Sequence, residues 1–200
     1  MDELDRSIFN IDIPSGKPGR GSLLISEPFL REEWFRHSVI YLIEHEIHGS
    51  SMGFVLNHQT DIKLSDVVNN IPAEYDTHLF CGGPVSQDQL YYLHRLGDLI
   101  EDSQRISEDM YVSGDFDSII KYIRSGYPTD GFIRFFLGYS GWNQNQLEDE
   151  IAGNVWAVTT AMTFDEILSG SGDAYWHRYV KMLGDSHKGW LYHPEDPQSN

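Results

Sequence analysis

Gly138-Tyr139-Ser140-Gly141-Trp142, preceded by the apolar run 131–137 and followed by Gln146-Leu147-Glu148-Asp149-Glu150-Ile151, is the stretch from which the fold is read. The run 132–137 is rich in aromatic and branched residues and predicts a strand. Gly138 and Gly141 bracket a short segment poor in large side chains, which reads as a tight turn. Asn145 and Glu148 have the spacing of a capping box, so a helix is expected to start there. Strand, glycine turn and helix in succession mark a mixed α and β chain.

Outward from this stretch the same alternation repeats. Leu23-Leu24-Ile25 and Val39-Ile40-Tyr41-Leu42-Ile43 are apolar runs, the second long enough for a strand covered on both faces. Gly53-Phe54-Val55-Leu56-Asn57 follows after a short loop, so these last two runs are expected to pair antiparallel. Leu64, Val67, Val68 and Ile71 recur at helical spacing and Pro72 stops them. Further strands are expected at 79–81, 90–94, 110–112 and 155–159. Asp115 caps a helix carrying Ile119, Ile120 and Ile123, with Gly126 just beyond it. Thr163 with Glu166 repeats the capping signature, and a last helix covers about 174–183, closed by Gly184. Residues 1–20, with Pro14, Gly16, Pro18 and Gly19, read as an N-terminal arm whose Phe9, Ile11 and Ile13 lie along the body. Residues 185–200, with Pro194-Glu195-Asp196-Pro197, read as a loose tail. No internal repeat or linker interrupts 21–184, so the fold class is α+β in one domain.

Composition narrows the functions. The chain has 200 residues, 40% of them hydrophobic and 13% aromatic, enough for one substantial core. Its formal charge is -17, from 14 basic and 31 acidic residues. Such a surface repels phosphate backbones, and the one helix at 115–126 offers only Lys121 and Arg124, so direct nucleic-acid binding is not expected. The single cysteine, Cys81, forms no intrachain disulfide and suits a reducing compartment. The acidic start, Met1-Asp2-Glu3-Leu4-Asp5, does not resemble a secretory signal, and no apolar run approaches the ~20 residues of a membrane helix. A cytoplasmic location and no membrane contact are expected.

Each motif has a chemical and a structural reading. Gly82-Gly83-Pro84-Val85 lacks the lysine and following helix of a phosphate loop and reads as a tight turn in the core. Glu44-His45-Glu46-Ile47-His48 has its histidines three apart beside a strand, where the zinc-protease pattern needs them four apart on a helix. No metal or cofactor is therefore expected. Ser140 sits where a nucleophile elbow would place its serine, but Trp142 stands where that turn needs glycine. A lone cysteine at a strand end, Cys81, reads as buried and inert. Trp156 and Trp176 read as core.

In order, Gly21-Ser22-Leu23-Leu24-Ile25, Phe35-Arg36, the run from Val39 to Glu44-His45, Gly53-Phe54-Val55-Leu56-Asn57, Gly82-Gly83-Pro84-Val85, Leu93-His94 and 138–142 with Gln146-Leu147-Glu148 resemble the YqgE/AlgH family of bacterial proteins over 21–184. The resemblance implies an α+β fold around a strongly coiled, partly barrel-like mixed sheet with helices outside. The resemblance brings no established biochemical activity with it: some members carry a transcriptional-regulator label tied to alginate production, without a recognised DNA-binding motif. Two departures stand out. Asn143 and Asn145 occupy positions near which the family places glycines, and Ser140 stands where the family commonly has alanine, which argues against a shared serine nucleophile.

The expectation is then a non-enzymatic binding or regulatory domain, acting through a protein partner or a small anionic ligand. The alternatives are an enzyme, such as a hydrolase using Glu44, His45 or Ser140, and a direct DNA-binding regulator. The candidate surface comprises Arg36, Glu44, His45, Asn57, Gly82, Gly83, Pro84, Gly138, Gly141 and Trp142, each at or beside a strand end where loops expose polar tips. The free N–H groups of the helix starting near Asn145 are expected to favour a carboxylate or other anion.

Overall fold

A computed structural model describes residues 16–160 and 163–192. The expected contact of Phe9, Ile11 and Ile13 with the body, and the loose tail around Pro194, lie outside the described residues. In chain order the elements are β1 (Ser22–Ser26), β2 (Val39–His45), β3 (Ser51–Val55), β4 (Gln59–Lys63), α1 (Leu64–Val67), β5 (His78–Cys81), β6 (Val85–His94), β7 (Gln104–Arg105), β8 (Tyr111–Val112), α2 (Phe116–Arg124), β9 (Ile133–Trp142), α3 (Gln146–Ala152), β10 (Trp156–Thr160), α4 (Phe164–Leu168) and α5 (Gly172–Met182). Short 3₁₀ turns at Ala73–Tyr75, Gly97–Leu99 and Asp185–Tyr192 complete them. The strands form one curled sheet in the order β10-β1-β2-β3-β9-β6-β8-β7, with β5 on β9 and β4 on β5. All pairings are antiparallel except β5 with β9, so the sheet is mixed and the fold is α+β, as the sequence indicated.

The largest correction concerns residues 138–142. They do not turn: they are the second half of β9, a ten-residue strand that runs through the whole sheet. One edge of β9 pairs with β6 from Val85↔Tyr139 to His94↔Ile133. Its other edge is divided, with Phe136 and Leu137 beside β5 and 140–142 beside β3. At the handover, Gly82 N donates to Leu137 O at 2.9 Å and Gly82 O accepts from Val55 N at 2.9 Å. The chain then crosses directly over the β9 backbone to begin β6. A Cβ on Gly82 would lie 2.2 Å from Gly138 O, and one on Gly83 would lie 2.3 Å from Tyr139 C. Gly138, at φ +69, bends the strand beneath the crossing. These glycines let two backbones touch.

Most of the sheet is buried on both faces, which is why its strands read as unbroken apolar runs. Leu23, Ile25, Tyr41, Phe54 and Phe136 point into the hollow filled by Trp176 and Tyr179 of α5. Leu24, Ile40, Leu42 and Val55 pack on the opposite face with Trp142, Trp156 and Leu147 of α3. Phe135, Tyr92 and Leu79 take Ile119, Ile120 and Ile123 of α2. Trp156 and Trp176 are core, as expected. Among the described residues no helix is long and apolar enough to cross a membrane.

Asp115 caps α2 by accepting from Ser118 N at 2.8 Å, and Thr163 with Glu166 forms the expected box at α4. The Asn145–Glu148 box does not form. Asn145 sits at φ +59, and both side chains reach instead to the β2–β3 hairpin: Oδ1 of Asn145 lies 3.1 Å from His48 Nδ1, and Glu148 Oε1 accepts from His48 N at 3.2 Å. The helix expected over 64–71 is cut to one turn, because Val68 is extended and Asn70 is left-handed at φ +59. Arg124 donates to the carbonyls of Asn69 and Asn70, holding that exit in place. Residues 185–192, expected as part of the tail, fold back in 3₁₀ turns that pack Trp190 and Leu191 on the core.

Candidate functional site

The ten sequence-selected residues do not meet on one surface. Gly82, Gly83 and Gly138 lie in the backbone crossing, and Pro84 is exposed at the start of β6. Glu44 is exposed at the far end of β2 from Val39, and the His45 ring lies 2.9 Å from Ser51 Oγ. The strand ends at His45, so Glu44, Glu46 and His48 do not share a strand face. Among the described residues no group of three or more His, Cys, Asp or Glu is placed to hold a metal ion. Ser140 is fully buried and donates to Gly82 O at 3.0 Å, so this serine is not presented for attack. Cys81 ends β5, where burial pushes its thiol up. At the start of α3 the side chains of Asn145 and Glu148 are engaged by His48 of the hairpin tip. Arg36 and Asn57 do come together, in one cleft, while Gly141 and Trp142 line another. The segment 28–37 is a wall of both.

Asn57 builds the first cleft. Its Oδ1 accepts from Val39 N at 2.9 Å, and its Nδ2 donates to His37 O at 2.8 Å and Gly172 O at 3.1 Å. Its own carbonyl accepts from Gly172 N at 2.7 Å. One buried amide thus pins the start of β2 and the start of α5 to the end of β3. The hollow around it, about 540 Å³ and open to solvent, is lined by Glu33, Arg36, His58 and Asp173. His58 donates from Nε2 to Arg36 O at 3.1 Å, and burial pushes its imidazole below the usual histidine range. His37 is buried, stacked on Trp176 at 4.3 Å, with Nδ1 3.1 Å from Asp173 Oδ1.

Through Gln59 and Ser171 this hollow continues into a more enclosed cleft of about 480 Å³. Thr77, His78, Phe80, Ser169 and Arg134 line it. Arg134, which the sequence reading did not select, is 7% exposed. Its guanidinium donates to Leu56 O at 2.7 Å, Gly170 O at 3.2 Å, Ile167 O at 3.4 Å and Leu168 O, and stacks 4.2 Å over the Phe80 ring. No carboxylate forms an ion pair with it among the described residues. Burial depresses its pKa to about 10, so it stays charged at neutral pH. The signal was present: an arginine inside the apolar run 132–137 must find several acceptors. Two carboxylates also line this cleft: Asp76 accepts from Ser65 N and Oγ at 3.0 and 2.8 Å, while Asp130 acts on Arg134 through its field and favours the charged guanidinium.

The second cleft is apolar and smaller, about 230 Å³, between Leu30 and Phe35 on one side and Trp142, Val155 and Trp156 on the other. Trp142 and Trp156 meet edge to face at 6.0 Å. Both indoles donate to the same oxygen, Glu150 Oε2, at 2.8 and 2.7 Å, and Gln146 Nε2 donates to Glu150 Oε1 at 2.8 Å. The second turn of α3 thereby places one carboxylate under two tryptophans.

A family model described as AlgH-like matches residues 23–188. A UPF0301 protein of Parabacteroides distasonis is 44% identical over 196 residues, covering 98% of each chain. One of Bacteroides thetaiotaomicron is 40% identical over 197 residues, covering 98% of this chain and 99% of its own. Among solved structures, a Corynebacterium diphtheriae protein superposes with a TM-score of 0.71 at 19% identity, over 88% of this chain and 93% of that one. The solution structure of the AlgH protein from Pseudomonas aeruginosa superposes with a TM-score of 0.68 at 23% identity, over 88% and 94%. At those identities the two structures speak for the curled sheet and its helices. With the family model spanning most of the chain and close relatives matched end to end, the chain belongs to the AlgH-like family.

Proposed function

We propose that this protein is a cytoplasmic, non-enzymatic binding domain that holds a small anionic ligand in the cleft over Arg134. The observation that carries the reading is the buried Arg134 guanidinium, lining a 480 Å³ cleft, hydrogen-bonded to carbonyl oxygens and in direct ion pair with no carboxylate among the described residues, Asp130 acting on it only through its field. That volume lies within the range of small-molecule sites. In a chain of charge -17, a buried cation without a carboxylate partner is a local exception, and an anion compensates it better than dipoles do. Around it, Gln59, Thr77, Ser169 and Ser171 supply donors that orient a ligand, and α5 starts at the same lip without a side-chain cap. Any effect on transcription is carried by ligand or partner rather than by duplex contact, given the acidic surface.

The test is an amide NMR titration with sulfate against chloride at equal ionic strength. Sulfate is expected to shift the amides of Gln59 and 169–172 and the Arg134 guanidinium, and Arg134→Lys is expected to weaken this. Shifts spread over the surface, or identical with chloride, would sink the proposal.

A further inference from the structure

We propose that the apolar cleft between Phe35 and the Trp142–Trp156 pair is a docking site for a basic polypeptide segment, which inserts one large apolar side chain flanked by lysines or arginines. At about 230 Å³ the cleft is smaller than small-molecule sites usually are, and suits a single side chain. Its apolar surface continues outward: Phe29 and Trp34, on the same wall segment, are 48% and 42% exposed. Aromatic residues grouped this way, rimmed by charge, are the usual composition of a protein-binding patch.

The sign of the rim selects the partner. Glu150 lies in the cleft and receives only indole and amide donors; no basic group pairs with it among the described residues. Glu32 lines the cleft from the wall segment, Glu27 directly precedes that segment and Asp149 is exposed next to Glu150 on α3, with Arg31 as the basic residue between Glu27 and Glu32. Arg36 faces the other cleft. A second copy of this chain presenting the same patch would set these carboxylates against their own images, and an anionic membrane or nucleic acid would meet the same repulsion. A cationic segment gains from every one of them.

The probe is a synthetic lysine–leucine dodecapeptide, compared with lysine–glycine and glutamate–leucine peptides of the same length. The readout is the indole Nε1–H resonances of Trp142 and Trp156 in labelled full-length protein. The lysine–leucine peptide is expected to shift both indoles and to bind about tenfold or more tighter than either control, a difference of ~1.4 kcal/mol. The exposed pair Glu32→Lys and Asp149→Lys should weaken it by a similar factor; if that variant does not fold, Glu32→Gln alone is read the same way. Equal binding by the lysine–glycine peptide would mean charge attraction without docking and would overturn the proposal. So would unmoved indoles, unchanged affinity in the folded variant, or indole shifts that follow protein concentration without peptide, which would assign the patch to self-association.

Discussion

In the cleft over Arg134 a cation is buried against carbonyl oxygens, whereas in the cleft beneath Trp142 and Trp156 a carboxylate is covered by N–H donors. Both solutions satisfy hydrogen bonds, and neither cancels the charge, because a dipole offsets only part of a full charge at contact distance. Each buried group therefore keeps part of its sign, positive at the Arg134 end of one cleft, whose lining also carries Asp76 and Asp130, and negative at Glu150 in the other. The Asn57 hollow, which opens into the Arg134 cleft, and the tryptophan cleft share the segment 28–37 as a wall, with Arg36 and Glu33 lining one and Glu32 and Phe35 the other. In an acidic chain the negative cleft continues the general field, while the positive one opposes it. The positive cleft should be the more selective of the two, and the negative one the more accommodating.

The strongest way to break the comparison is to remove the cation. Arg134→Ala deprives the carbonyls of Leu56, Leu168 and Gly170 of their donor at the point where β3, α4 and α5 meet. At ~1–3 kcal/mol for each buried group left unsatisfied, with water replacing some, a loss of about 3–5 kcal/mol is expected. That is a large share of a typical total stability of ~5–15 kcal/mol, so the urea midpoint should fall sharply. A midpoint near that of the parent would show that the carbonyls do not need the guanidinium.

Removing the anion should cost less. Glu150→Gln keeps the shape but turns one acceptor into a donor facing either the paired indoles or the Gln146 amide. A loss of about 1.5–3 kcal/mol is expected, read by urea unfolding with tryptophan fluorescence as the probe. If Glu150→Gln proves as damaging as Arg134→Ala, the two clefts are equally structural and the contrast between them fails.

The frame of these clefts was written plainly in the sequence, and their chemistry much less so. Runs such as 39–43 and 132–137 read as strands because both faces are covered. Asp115 and Thr163 read as caps because each bonds a residue three positions away. Gly82, Gly83 and Gly138 read as turn glycines, whereas they are positions of close backbone approach and 138–142 is strand. Locally, a glycine that turns the chain and one that lies under a crossing chain look alike, and the crossing partner is more than fifty residues away. Asn145 and Glu148 have the spacing of a cap, but their partner is His48, reached only through the hairpin. Asn57 stood out as a polar residue after an apolar run, while its bond to Gly172 spans 115 positions and leaves no local mark. Glu150 was hidden among its acidic neighbours, because only the fold brings two indoles onto one of its oxygens.

The gentlest probe of the contrast is pH. Burial lowers the pKa of His58 beside the positive cleft and, first among its causes, that of His94 in the β6–β8 half of the sheet. A histidine depressed in the folded chain is protonated more readily after unfolding, where its pKa is about 6.5. Its contribution to stability is thus complete above about pH 7 and shrinks as the pH falls through 6.5 toward the folded value. The slope is at most ~1.4 kcal/mol per pH unit for each histidine. Urea midpoints measured from pH 8 to pH 5.5 should decline over that interval, and a flat profile would mean that neither ring is held neutral by the fold. The two rings then separate the clefts. Sulfate bound over Arg134 would favour the protonated form of His58 and raise its pKa, leaving His94 near its ligand-free value, while the lysine–leucine peptide in the tryptophan cleft should move neither upward. Imidazole NMR titrations read both rings in one experiment. A rise shared equally by His58 and His94 would reflect general screening of the acidic surface, and would remove the case for a positive cleft with a ligand of its own.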